Sequence, residues 1–441
     1  MATSTLPNAA AAPAPMRLLK SLSLSAFSAG VRFAAALLAF SIVARVLGPA
    51  RFGVLMLCLS IASLLTLVSN FGLVVLLLRE IGRDAAAAPL ILGRTLSAKL
   101  LVTGLALLIG VAVFPLLAPE ARWPYALLLL AMLAEGFTEF FSAGFRASQR
   151  FDVEARLALV GGLVQLLGVA LAAWWTGALV WIAAAYLLTR GVVALMTYRQ
   201  LLQIVGPLRL AGLAEAWQET RAAVSYAIDA GLTSAFGQVD SLVLNHFLGP
   251  IAVGLHQAGM RLFMTGTQAA AVLANVFLPR AAAAHAGSSV ASQQVETLRL
   301  QLAFLGVGTA FGWLLALAGG WLVQHLFGSA FDALALLMPW FGLLFAMKFV
   351  AAAWGVVLTA RGLQAYRASA SALHWIVIAA LASALVPQYG NAGWLWALVG
   401  GTMVLAVLYA ARAFERGRQN WRVLLVTSLM LISFIPLLRL A

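Results

Sequence analysis

Long apolar runs recur along this chain at short intervals, and few folds can accommodate them. They cover approximately residues 21–47, 52–78, 95–117, 124–146, 157–176, 178–198, 222–248, 252–278, 300–326, 333–359, 368–386 and 392–412, with a further run at 423–439. Most reach the roughly 20 residues a helix needs to cross a bilayer core of about 30 Å. A chain of 441 residues that is 63% hydrophobic and only 10% charged belongs in a membrane. No long stretch alternates in polarity, which excludes a β-barrel. The expected fold is therefore an all-α polytopic membrane protein with twelve or thirteen transmembrane helices.

The basic residues order these crossings. With the N-terminus placed in the cytoplasm, nineteen of the 28 Lys and Arg fall on cytoplasmic segments, from Arg17 and Lys20 through Arg146, Arg150 and Arg156 to Arg412–Arg422. The opposite side keeps Arg51, Arg122 and Arg439. That asymmetry is what the positive-inside rule demands, so the net charge of +14 is a topology signal and not a nucleic-acid footprint. The expected arrangement is a multi-pass membrane protein with its N-terminus in the cytoplasm. The first run is too long for a signal-peptide core and reads as a retained helix behind an Ala/Pro-rich tail. The segments then divide into a disordered tail at 1–19, an N-lobe at 20–200, a cytoplasmic connector at 201–221, a C-lobe at 222–412 and an extra apolar helix at 413–441.

Two halves are marked by a repeated turn. Leu47-Gly48-Pro49-Ala50-Arg51-Phe52-Gly53 returns as Leu248-Gly249-Pro250-Ile251-Ala252-Val253-Gly254, 201 residues on. The helix before the first turn carries Ser21, Ser25, Ser28 and Arg32 at i+4, i+3 and i+4, one polar stripe on an apolar helix. In the second half, Asp229 and Thr233 stand 201 residues after Ser28 and Arg32, and Asp240 continues their stripe. Polar groups at matching depths predict a shared polar space between the halves.

Ionisable side chains at membrane depth are expensive and point to function or to pairing. Arg32, Arg261 and Lys348 are the deep cations and predict an anion site. Asp229 and Asp240 are the candidate coupling carboxylates, with Ser28, Asn70, Thr233 and Gln238 as further cavity-lining polar groups. Glu139, Asp240 and Lys99 also fit pairing or snorkelling near helix ends, and Arg190 admits either reading. Trp174, Trp175, Trp181, Trp394 and Trp396 lie at helix ends and read as an interfacial belt. The single Cys58 excludes an internal disulfide. No Gly-rich phosphate loop and no metal-ligand spacing among the five histidines appears, so neither an enzyme nor a bound cofactor is expected.

Ala44–Gly53, Asn70-Phe71-Gly72-Leu73 and Arg79-Glu80-Ile81 resemble the opening of bacterial polysaccharide-export flippases. These belong to the multidrug/oligosaccharidyl-lipid/polysaccharide exporter superfamily. Phe145–Phe151 (FRASQRF) and Ala360–Tyr366 (ARGLQAY) are similar to that family's loops in the two halves. The resemblance implies two six-helix bundles around a central cavity, opening alternately to each side. It implies a substrate of sugars joined by pyrophosphate to a polyprenol, moved from the cytoplasmic to the external leaflet. It also implies a polysaccharide polymerase and a chain-length regulator as partners, besides membrane lipids, and no nucleic acid. A cation-coupled multidrug antiporter of the same superfamily is the alternative, and the coupling ion is open between Na+ and H+.

Overall fold

The computed structural model describes the backbone of residues 15–84, 87–287, 290–414, 428 and 432–438. It describes the side chains of 37–84, 87–227, 238–267, 269–270, 272–283, 292–413, 428 and 432–436. The side chains of Ser28, Arg32, Asp229 and Thr233, and most of the tail and of the run at 423–439, lie outside the described residues.

Every regular element is helical, and two of the helices double back on themselves. α1 (Pro15–Asn70) breaks at Gly48, whose backbone sits at φ 68°, ψ 170°. Glycine reaches that conformation without steric cost, and Pro49 then opens the next limb where no backbone N–H is needed. Phe40 and Phe52 meet with ring centroids 6.4 Å apart. In one straight helix they would stand about 18 Å apart, so the two limbs run antiparallel. α12 (Gln364–Phe414) does the same at Gly390. There the Tyr366 hydroxyl reaches the Leu408 carbonyl at 2.9 Å, across 42 residues.

Between these hairpins lie α2 (Leu73–Arg83), α3 (Ala88–Val113), α4 (Pro119–Ala147), α5 (Phe151–Thr176) and α6 (Leu179–Val205). They are followed by α7 (Leu213–Leu248), α8 (Pro250–Gly287), α9 (Val290–Phe327), the short α10 (Asp332–Ala335) and α11 (Met338–Ala360). A last turn, α13 (Ile435–Leu438), follows α12. Eight described helices are long and apolar enough to cross a membrane, or nine with the bent pair Pro250–Thr267 and Val272–Ala283 taken as one span. Leu37–Arg83 and Gln364–Ala413 are two of the eight. Being doubled back, each accounts for two crossings, and the chain is a multi-pass membrane protein.

The repeated turn forms the seam between the halves. A Cβ on Gly53 would overlap the Pro250 carbonyl oxygen at 1.7 Å, and one on Gly254 would overlap the Pro49 carbonyl oxygen at 2.1 Å. Residue 49 is thus packed on 254, the counterpart of 53, and residue 53 on 250, the counterpart of 49, a reciprocal contact as a two-fold axis requires. Only glycine lets backbones approach so closely, which in lipid is a main source of helix association. The seam is extended by Phe52 on Phe331, 6.1 Å between centroids, and by Arg45, whose guanidinium donates to the Gln324 and His325 carbonyls at 3.2 and 2.7 Å. Both carbonyls belong to the last turn of α9, where a cation is favoured by the helix dipole.

At the opposite end, where the arginine-rich loops gather, the connector is not a free linker. The Ala211 amide donates to Ser97 Oγ at 2.8 Å, Arg94 pairs with Glu219, and Arg79 donates to the Tyr226 hydroxyl at 3.0 Å. The first half of α7 therefore lies on α2 and α3 of the N-lobe.

Three local readings are corrected. The crossing expected at 52–78 breaks at Phe71-Gly72, both in the left-handed region. Lys99, read as a helix-end residue, is 1% exposed and seals that break. Its ammonium donates to the Ser69 carbonyl and hydroxyl at 3.0 Å each and to Asn70 Oδ1 at 2.6 Å. Trp394, read as part of the interfacial belt, is buried against His256, while Trp174, Trp175 and Trp181 are exposed as expected. Phe434 of the thirteenth run is fully buried, and Ser433 accepts from Trp313 Nε1 at 3.0 Å, which docks this part of the run on the C-lobe.

Candidate functional site

Beneath the Gly53–Gly254 seam the two halves part around a cavity of about 280 Å³. The N-lobe contributes Phe40, Ser60, Ser63, Met132, Glu135, Tyr186 and Arg190, and the C-lobe Gln238, Asp240, Gln257, Met260, Arg261 and Met264. Four methionines on the wall, counting Met56, supply a soft apolar surface that can adapt to irregular ligands.

Its charged groups differ in how they are engaged. Glu135 Oε2 and Arg190 Nη1 are 2.7 Å apart, and Arg190 also lies over the Tyr186 ring and against Met132 Sδ. Asp240 accepts from His256 Nε2 at 3.1 Å, from the Ser241 amide at 2.7 Å and, more loosely, from Gln257 Nε2 at 3.4 Å. Gln257 donates also to Ser241 Oγ at 2.7 Å, and Ser241 Oγ accepts from Ser60 Oγ of the N-lobe at 2.9 Å. The His256 ring is 2% exposed and stacked on Phe341. This chain of polar groups is the point at which hydrogen bonding crosses the lobe interface under the seam.

Arg261 is engaged differently. Its guanidinium lies 3.6 Å from the centroid of Phe40, its Nε is buried without a hydrogen-bond partner, and no carboxylate pairs with it among the described residues. A guanidinium that rests on an aromatic ring can still offer its N–H donors to a planar or tetrahedral oxyanion. The formal charges of the described wall balance, Glu135 and Asp240 against Arg190 and Arg261, but Arg190 is in contact with Glu135 while Arg261 has no carboxylate in contact with it among the described residues.

Of the candidates named from sequence, Arg261, Gln238 and Asp240 line this cavity. Lys348 does not. It is the exposed residue of an otherwise buried or half-buried α11 and lies over the Phe263 ring at 5.9 Å. Asn70 is spent on Lys99, away from the cavity wall. Ser28, Arg32, Asp229 and Thr233 are on the first limb of α1 and on α7, with side chains outside the described residues. His256 and the two serines were not singled out by the sequence. A signal existed: Asp240 and His256 each stand eight positions from Leu248, so a hairpin there must bring them level.

A family model described as "polysaccharide biosynthesis protein" matches residues 18–285, more than half of the chain. The chain belongs to that family. Several solved structures share the fold. One is the lipid II flippase MurJ in an inward closed conformation, with a TM-score of 0.74 at 11% identity over 94% of this chain and 92% of that one. Another is a multidrug resistance MATE family transporter of the MOP superfamily in an inward-facing conformation, with 0.65 at 17% identity over 88% and 94%. A third is a MOP superfamily transporter from Pyrococcus furiosus, with 0.57 at 17% over 88% and 94%. No curated protein matches the sequence. At these identities the structures establish the family's all-helical transporter fold and nothing finer.

Proposed function

We propose that this protein is a flippase that carries a polyprenyl-pyrophosphate-linked oligosaccharide from the cytoplasmic to the external leaflet by alternating access. The observation that carries the reading is Arg261, a cavity arginine without a described carboxylate partner, seated on Phe40 between the two lobes. Sugars and pyrophosphate cannot cross hydrocarbon unaided, because their charges and hydroxyls would lose water without replacement. A polar cavity between lobes, with an arginine available to the anion, replaces that water while the polyprenol stays in lipid. Arg32 stands about two turns before Phe40 on the same limb and would join Arg261 at the pyrophosphate, with Lys348 as a further cation deeper in the C-lobe. Asp229 and Asp240 would serve the coupling ion, Na+ or H+. An inside-negative potential adds about 2.3 kcal/mol per charge per 100 mV for outward movement of an anion.

The asymmetric arginines support a cytoplasmic N-terminus in a bacterial inner membrane. The Gly53–Gly254 seam then closes the external end. A polymerase and a chain-length regulator would take the product onward.

The test is Arg261→Ala beside Arg261→Lys, each expressed at wild-type abundance. Alanine should leave lipid-linked sugar on the cytoplasmic leaflet, and lysine should retain part of the transport, since charge remains but the bidentate fork is lost. Wild-type export by the alanine variant would remove Arg261 from the mechanism. Efflux of cationic drugs, with no effect of the protein on the leaflet of lipid-linked sugar, would favour the antiporter reading instead.

A further inference from the structure

A second cavity, of about 240 Å³, lies within the N-lobe between α4, α5 and α6. α4 packs far more extensively on α6 than on α5, its neighbour in sequence, which leaves room between α4 and α5. Glu135 and Arg190 are on its wall and also on the wall of the inter-lobe cavity, and no other residue is common to the two. The two cavities thus share one ion pair, 2.7 Å across, in their walls. A ligand seated at Arg261 therefore has the N-lobe cavity directly behind that pair.

The lining has a definite chemistry. Its charges cancel: Glu135 pairs with Arg190, and Glu154 pairs with Arg146 at 3.2 Å. Among the described residues, Ser142 and Gln165 have no side-chain hydrogen-bond partner, so a hydroxyl and a whole amide are left to donate and accept. The Thr138 and Thr197 hydroxyls donate to the Ala134 and Val193 carbonyls, at 3.1 and 2.7 Å, and keep lone pairs free. Half of the Glu135 side chain is exposed, and Arg190 Nε is buried and unpartnered, so the pair itself has bonding capacity to spare. Leu157, Ala158 and Val193 add apolar surface. Neutral hydrogen-bonding groups beside an apolar patch, with no net charge, fit a neutral polyhydroxylated ring.

We infer that the N-lobe cavity is a sugar subsite, which takes the sugar attached to the pyrophosphate held at Arg261, with Glu135 and Arg190 as its threshold. This rests on the flippase reading and assigns the two parts of one substrate to two cavities. Apolar replacement of Gln165 removes neutral hydrogen bonds, whereas enlarging Ala158 fills the space without touching any charge.

The experiment uses the full chain in nanodiscs and a short-chain polyprenyl pyrophosphate, bare or carrying one glucosyl, galactosyl or N-acetylglucosaminyl unit. Wild-type protein should bind at least one glycosylated lipid about tenfold more tightly than the bare lipid. Gln165→Leu and Ala158→Leu should each remove that preference while binding of the bare lipid stays within twofold. Bare-lipid binding reports that the variants are folded. A preference that survives both substitutions would put the sugar elsewhere and overturn the subsite, as would bare-lipid binding with no preference for any sugar in the wild type. Failure of the wild type to bind any of the lipids would instead overturn the flippase reading on which the subsite depends.

Discussion

Single side chains in this protein are decided by what compensates their polarity in a low-dielectric interior. Lys99 shows the structural outcome. Its ammonium meets three oxygen acceptors at the end of the second limb of α1, where the carbonyl of Ser69 would otherwise face apolar side chains. Lys99→Met keeps the length and removes the donors, leaving acceptors of which each unsatisfied one costs about 1–3 kcal/mol. The unfolding midpoint of detergent-solubilised protein should fall clearly. An unchanged midpoint would mean that water replaces the amine. Arg261 shows the other outcome, because its described neighbours offer an aromatic face and no carboxylate. The sequence reads Lys99 as near a helix end and Arg261 as deep, but depth did not settle what either cation contacts. Their neighbours come from other helices, Ser69 and Asn70 in one case and Phe40 in the other, so their roles had to wait for the packing.

Among the elements, the paired LGP hairpins control how the lobes meet. Gly48 and Gly249 turn the chain at φ 68° and 79°, and Gly53 and Gly254 let the returning limbs touch backbone to backbone. The repeat at an interval of 201 residues was legible as a motif, and its prediction of two related halves agrees with the reciprocal contacts. What the motif did not announce was that its last glycine is the contact point. Gly53→Ala cannot be accommodated without moving Pro250, whose carbonyl oxygen stands where the new methyl would go. The variant should loosen the closed seam. A cysteine at Ser241, on a Cys58→Ala background, should then react with an impermeant thiol reagent several-fold faster than with Gly53 intact. Equal rates would show that the seam does not limit access.

For the whole molecule, transport requires the seam to open, and the Ser60–Ser241 hydrogen bond lies across it. Cysteines at both positions, with Cys58→Ala, should form a disulfide under mild oxidation, since their side-chain oxygens are 2.9 Å apart. Export should stop in the oxidised protein and return to most of its original rate after reduction. Transport that persists with the disulfide formed would rule out opening at this seam. Orientation is tested separately. Single cysteines in 147–156 and 199–221 should resist an impermeant reagent added outside intact cells, and ready labelling in both loops would invert the topology.

The sequence by itself determined the class of structure, because apolar runs of membrane-spanning length leave a helical bundle as the way to satisfy backbone polar groups in lipid. It also determined the two-fold relation, because the LGP turn is a local signal that needs only glycine and proline in place. The pairings were decided by tertiary structure alone. That Asp240 is engaged by His256, that Glu135 holds Arg190, and that Lys348 is off the wall Arg261 occupies all depend on which helix faces which. The physical reason is that a buried charge takes its function from partners a few ångströms away, and those partners are mostly remote in the chain.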